Sequence, residues 1–253
     1  MNLNNFVVDR ILRAVGKSKE DEVLFAINQV TNASLNVTSE TAEAVDALGT
    51  PIAIFNRAKS CEFSAENALF DLNLMATQAG SKKISAADGE PIVAPAFDLV
   101  EDGKIKHMPK DKDAAKFYYV NGDGSFGEEI SRAGVTIADE ADEEGKVAVT
   151  GLPTLEDGEQ IMAVYEFEAI NAVAVVNSAT EFPKACELVL EVLGCDVCDQ
   201  EELIYAYLIF PNFKISPDFD WSIATDGTHP FSGQAMQNYC DAKKELYKLI
   251  IVE

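Results

Sequence analysis

Apolar residues recur with period two in seven separate runs, and that pattern constrains the fold more than any other feature. A chain patterned this way buries its apolar side chains as strands with one face turned inward. Val23, Phe25 and Ile27 form one run, and Leu35 with Val37 a second. Ile161, Ala163, Tyr165 and Phe167 form a third, and Cys186, Leu188, Leu190 and Val192 a fourth. Tyr205, Tyr207 and Ile209, then Phe219, Trp221 and Ile223, then Tyr247, Leu249 and Ile251 complete the set. Turn-rich stretches separate them, which predicts a mainly β chain folded as an antiparallel β-sandwich or barrel.

One helix is expected to flank the sheets. Leu69, Leu72, Met75, Ala76 and Ala79 fall on a single helical face. Ser64 is placed as N-cap and Gly80 as the left-handed C′ residue, giving a helix over 65–79. The alternation of Phe70, Leu72 and Leu74 offers a rival strand, but both caps favour the helix. Residues 81–158 are different in kind. Asp-Gly turns at 88–89, 102–103, 123–124 and 157–158 punctuate short apolar runs at Phe117–Val120 and Val147–Val149. This predicts an inserted, turn-rich acidic β subdomain, with 1–80 and 159–253 forming the sandwich core. Asp139, Glu140, Asp142, Glu143 and Glu144 crowd six positions of it, and 139–144 is expected to be exposed and mobile.

The charge balance narrows the partners. Acidic residues number 43 against 20 Lys and Arg, a net charge of -23. A surface of that sign repels phosphates, so neither sequence-independent nucleic-acid binding nor docking on an anionic membrane is expected. No run approaches the roughly 18 apolar residues of a membrane span, and Met1–Arg13 holds no signal-type apolar core. Five cysteines, an odd number set as often among apolar neighbours as in loops, fit synthesis and folding in a reducing cytosol.

The motifs that resemble chemistry resolve as turns. Cys195-Asp-Val-Cys198 lacks a second soft pair for zinc, and acidic neighbours oppose a stabilised thiolate. It reads as the turn between two strands. Asn121-Gly-Asp-Gly-Ser-Phe begins like a calcium loop, but Phe126 stands where glycine is required and Arg132 where the bidentate acid belongs. His107 and His229 are isolated, and no phosphate loop or nucleophile elbow is present. No catalytic residue, cofactor or metal site is expected, although 43 acids always offer carboxylate pairs that would suit a carbohydrate-active sandwich.

Two segments carry a resemblance. Asn32-Ala-Ser-Leu-Asn-Val-Thr-Ser-Glu-Thr-Ala-Glu-Ala-Val-Asp-Ala-Leu-Gly-Thr-Pro-Ile-Ala-Ile-Phe-Asn-Arg-Ala-Lys-Ser-Cys-Glu-Phe-Ser-Ala-Glu-Asn-Ala68 runs as strand, turn and strand into the helix. Phe210-Pro-Asn-Phe-Lys-Ile-Ser-Pro-Asp-Phe-Asp-Trp-Ser-Ile-Ala-Thr-Asp-Gly227 follows near the C-terminus. Together they resemble tailed-phage virion proteins of the tail-tube type. The resemblance implies a structural subunit, not an enzyme, made in the host cytoplasm and residing in the virion. It implies self-assembly into stacked hexameric rings beside other virion proteins, with DNA only passing through an acidic lumen. A capsid-associated decoration protein is the alternative, and 81–158 exceeds what a minimal tube subunit needs. The hairpin 33–64 is the candidate assembly element, through Leu35, Val37, Thr38, Glu40, Glu43, Asp46, Ile52, Ile54, Phe55, Lys59 and Phe63. It buries little apolar area and is expected to be loosely ordered until copies pair edge to edge.

Overall fold

Alternation becomes strand through most of the described residues, which are 6–156, 158–197, 199–239 and 243–252 of the computed structural model. The chain opens with β1 (Phe6–Lys17), β2 (Val23–Ile27), β3 (Val30–Val45), β4 (Pro51–Asn67) and helix α1 (Leu72–Ala79). A second unit, Ile84–Ala174, follows. It contains β5 (Ile84–Ser85), β6 (Ile92–Leu99), β7 (Lys104–Ile105), β8 (Lys116–Val120), β9 (Phe126–Ile130), β10 (Thr136–Ala141), β11 (Val147–Thr150), β12 (Gln160–Ala169) and β13 (Val173–Ala174). The chain then returns to the first unit with β14 (Ala185–Asp196), β15 (Asp199–Ile215), β16 (His229–Ala235) and β17 (Lys248–Val252).

The first unit is one antiparallel sheet in the order β2-β1-β14-β15-β16-β4-β3, with β17 added alongside the middle of β15, Tyr205–Ile209. β2 and β3 stand at opposite ends of that order, yet only Asn28 and Gln29 separate them in sequence. The sheet therefore curls over on itself. Phe25 of β2 meets Phe231 of β16 edge-on, with ring centroids 6.4 Å apart. No β2–β3 ladder closes the curl, so the arrangement is sandwich-like and not a barrel. Its inward side chains, among them Ala14, Leu188, Leu190, Ala206, Phe210 and Phe213, form one buried core with Leu74 of α1.

Three expectations change here. The helix starts at Leu72, not at 65, and its N-cap is Asp71, whose carboxylate accepts from the Leu74 N–H at 2.7 Å. Ser64 lies inside β4, paired with Ser34 and Ser232. Gly80 does adopt the left-handed conformation, φ 71°, and a Cβ there would stand 2.4 Å from the Phe182 backbone. Phe219, Trp221 and Ile223 form no strand. Pro217 opens their loop, and the aromatics pack: Trp221 stacks on Phe70 at 4.3 Å, and Phe219 tilts towards His229 at 6.1 Å. The inserted unit also runs to Ala174 and not to residue 158. Gln160–Ala169, read as core, is β12 and pairs with β6 and β8.

The inserted unit carries its own core of Phe117, Ile105, Ile130, Ile137, Val147, Val149, Ile161 and Ala163. Two sheets supply it, β6-β12-β8-β9 and β10-β11-β7, while the short pair β13-β5 joins the two ends of the unit.

His229 shows how the first unit responds to pH. The ring is buried; Nδ1 accepts from the Asp71 N–H at 3.4 Å and Nε2 donates to Gln78 Oε1 at 2.8 Å. Burial lowers its pKa from 6.5, against an opposing pull from Asp71. A lowered folded pKa means that the unfolded chain binds the proton more readily. The stabilisation is complete above the ordinary histidine value and is lost as pH falls towards the folded one. His229→Gln is expected to melt lower at neutral pH and to show a shallower fall in melting temperature between about pH 7 and pH 5.

Candidate assembly surface

β3 and β4 form a ribbon whose two halves differ. Near its base every second residue of β4 is core: Cys61, Phe63 and Ala65 are buried, and Leu35 of β3 packs on the same cluster. Phe63 lies 5.6 Å from Phe210, 6.0 Å from Phe231 and 6.4 Å from Phe213 between ring centroids, and only 3% of it is exposed. A register shift between Ser39 and Thr41 then skews the ribbon. Beyond it no side chain on either face is buried.

The ladder continues regardless, with Ala42 opposite Phe55, Glu43 opposite Ile54 and Ala44 opposite Ala53. The turn is built from its residues. Asp46 Oδ1 accepts from the Leu48 N–H at 2.8 Å and the Thr50 N–H at 2.9 Å, while Gly49 supplies the φ of 85°. Leu48 at the tip is 91% exposed, Ile52 70%, Ile54 61% and Phe55 58%. A cluster of large apolar side chains with no partner in the monomer marks an interaction surface.

Both edges of this distal half are open. β3 ends the sheet along its whole length, and β16 covers β4 only from Cys61 to Asn67, leaving Pro51–Ser60 unpaired on that side. The open edges carry opposite charge: β3 holds Glu40 and Glu43, and Pro51–Ser60 holds Arg57 and Lys59. Nine of the eleven candidate residues, Val37, Thr38, Glu40, Glu43, Asp46, Ile52, Ile54, Phe55 and Lys59, are exposed on this ribbon. Leu35 and Phe63 belong to its base instead. Val45, Leu48 and Arg57 were missed by sequence reasoning, because an apolar residue next to a turn breaks no pattern.

A family model describes the same chain from residue 6 to residue 248, a span that crosses the inserted unit; its family is the YomU/Tube protein family. The chain belongs to that family. It is a phage-type family of tube structural proteins, which makes this chain a tube-type structural protein and a virion component. No curated protein matches the chain.

For a tube protein, the remaining candidate motifs fall into structural places. Cys195 lies in β14 opposite Leu203, next to the end of that strand; Cys198 lies outside the described residues. Cys61 and Cys186 are buried, and burial pushes the Cys186 thiol up to about 11. Asn121–Ser125 is the β8–β9 turn, closed by the Ser125 N–H donating to Asp123 at 3.0 Å. Among the described residues no three His, Cys, Asp or Glu side chains gather as metal ligands, and no helix is long and apolar enough to cross a membrane.

The acidic segment 139–144 is exposed and lies in the β10–β11 hairpin. Asp142 accepts from the Glu144 and Lys146 N–H groups at 3.0 and 2.9 Å and from Lys104 Nζ at 2.7 Å; the Lys104 hydrogen bond and the two backbone ones hold its carboxyl below the usual range. Asp139 pairs with Lys112 at 2.5 Å. Replacing Asp139, Glu140, Glu143 and Glu144 together by Asn or Gln is expected to leave the thermal midpoint unchanged, because exposed ion pairs contribute little. Asp142→Ala alone should lower it more than the other four combined, since it removes the turn's acceptor.

Proposed function

We propose that this chain is a tail-tube subunit whose copies join through the distal β3–β4 ribbon into closed rings that stack into a tube. The observation that carries the proposal is a two-stranded ribbon exposed on both faces, open on both edges and tipped with apolar side chains. Isolated ribbons of this kind are marginal in water, and unpaired strand edges pair with another chain when one is offered. The opposite charge of the two edges favours β3 of one copy against Pro51–Ser60 of the next. Such a contact is head-to-tail, and a head-to-tail contact closes into a ring when its rotation divides the circle. A six-membered ring would agree with the tail-tube resemblance.

The lumen follows from the charge of the ribbon. Residues 36–60 hold Glu40, Glu43 and Asp46 against Arg57 and Lys59, a net of -1, whereas Ile84–Ala174 holds 20 acids against 7 bases. Once Arg57 and Lys59 face a neighbour's glutamates, a bore lined by ribbons is left mildly acidic with no free cation. DNA passing such a wall meets nothing that holds its phosphates. No catalysis, cofactor or membrane contact enters the proposal. Both histidines already have packing roles, His229 beneath Phe70 and His107 against Phe167.

Negative-stain micrographs of concentrated purified protein test it. Stacked rings or tubes formed by the protein alone are expected, together with amide exchange at 36–60 that is fast in the monomer and slow in assembled material. A protein that stays monomeric at every concentration, with 36–60 already protected, would overturn the proposal in favour of a subunit decorating another protein's shell.

A further inference from the structure

The inserted unit contains an open hollow of about 810 Å³ that the assembly ribbon does not involve. Its wall is an aromatic pair. His107 lies flat against Phe167, with centroids 4.0 Å apart and planes within 5°; one ring face is covered by Phe167, and His107 as a residue is exposed. Lys106, Lys110, Glu168 and Asn171 stand around the pair, and none of these four side chains is engaged by another described side chain. Met108 and Ile170 supply apolar lining.

A buried polar network fixes this wall from behind. The Lys106 N–H donates to Asp98 Oδ2 at 3.1 Å, and the His107 N–H donates to the Tyr165 hydroxyl at 3.0 Å. The Tyr165 hydroxyl in turn donates to the Asp98 carboxylate. Asp98 and Tyr165 are both buried, and burial pushes the phenol well above its ordinary pKa. The Lys110 N–H donates to the Glu166 carbonyl at 2.8 Å, tying the far end of the segment to β12. A carboxylate in a protein interior is costly unless its hydrogen bonds are complete. Here its partners are the backbone of the residue before His107 and the tyrosine that holds His107 itself. The wall is thus rigid before any ligand arrives, which removes part of the ordering cost of binding.

We propose that this hollow is a binding site for a neutral saccharide chain. An exposed aromatic plane matches the C–H face of a pyranose ring, and the free amide, carboxylate and ammonium groups around it match the mixed donors and acceptors of sugar hydroxyls. The hollow itself is close to balanced, with Lys106 and Lys110 against Glu168, and the surrounding unit's 20 acids against 7 bases oppose the approach of nucleic acids and long anionic polymers. The volume suits a short stretch of chain and not a single small ion.

The test uses the full-length protein, titrated separately with maltotetraose, cellotetraose, mannotetraose and the tetramer of N-acetylglucosamine, and followed by amide NMR. At least one is expected to give saturable shifts confined to 106–110, 141–145 and 167–171. His107→Ala should weaken that binding about tenfold or more, with the inserted unit still folded by its amide spectrum, and His107→Tyr should restore it. No shifts from any of the four at about 10 mM would overturn the proposal. So would equal binding by His107→Ala, or shifts at the hollow from a short cationic peptide in place of the sugars.

Discussion

Replacing residues 40–58 by an Asn-Gly turn is expected to yield a folded, soluble protein that forms no rings or tubes at any concentration. Ser39 and Lys59 are already paired across the ribbon, so a two-residue turn of this type joins them without moving the base. The excised segment buries no side chain in the monomer, and its loss is expected to change stability by less than about 1 kcal/mol. Assembly is affected in proportion to what is removed: both open edges and the exposed Leu48, Ile52, Ile54 and Phe55 go together. Sedimentation and negative stain read the first effect, and thermal melting reads the second. Tubes from the shortened chain would show that assembly runs through another surface. A large fall in melting temperature would show that the ribbon packs within the monomer.

The parts of the fold that were legible in the sequence are those where alternation runs without interruption. β2, β12, β14, β15 and β17 each form where a period-two run was read, but in β15 the faces are reversed: Ile204, Ala206 and Phe210 are buried, and Tyr205 is 46% exposed, because every position from Leu203 to Phe210 is apolar and alternation cannot choose between faces. β1 was not legible because its register shifts between Val8 and Arg10 and again between Ile11 and Arg13. Each shift inserts a residue and reverses the faces, so twelve residues of strand show no sustained alternation. β16 was hidden by its own composition. Pro230 lies beyond the Phe213–Ile215 pairing, where its missing N–H costs nothing. Gly233 is required because a Cβ there would stand 2.4 Å from the Phe213 ring and 2.5 Å from the Lys214 carbonyl oxygen. The Phe219–Ile223 run shows the converse: its aromatic residues alternate and yet pack from a loop. The helix was recognised by its apolar face and Gly80, but its start was misplaced because Ser64 and Asp71 are both acceptable caps and only the length of β4 decides between them. For the assembly ribbon, sequence identified the element and most of its exposed residues. It did not separate tip from base, since alternation reports which face a side chain takes and not how far along the strand the core extends.

That separation is the basis of the last expected result, in which Phe63 and Phe55 behave oppositely. Phe63→Ala should destabilise the first unit by about 3–5 kcal/mol, because it empties a site ringed by Phe210, Phe213 and Phe231. For a unit of this size that corresponds to a fall of roughly 6–20 °C in its melting transition. Phe55→Ser should leave the transition in place, because its side chain touches no core residue and is more than half exposed. In assembly the order reverses. Phe55→Ser, fully folded, should raise the concentration needed for tube formation or abolish it, while Phe63→Ala should still assemble at temperatures well below its own melting point. The assignment requires the two phenotypes to separate. If Phe55→Ser melted as low as Phe63→Ala, the distal ribbon would have to be folded back onto the monomer in solution. If Phe63→Ala failed to assemble while fully folded, the interface would have to reach down the strand into what is here the core.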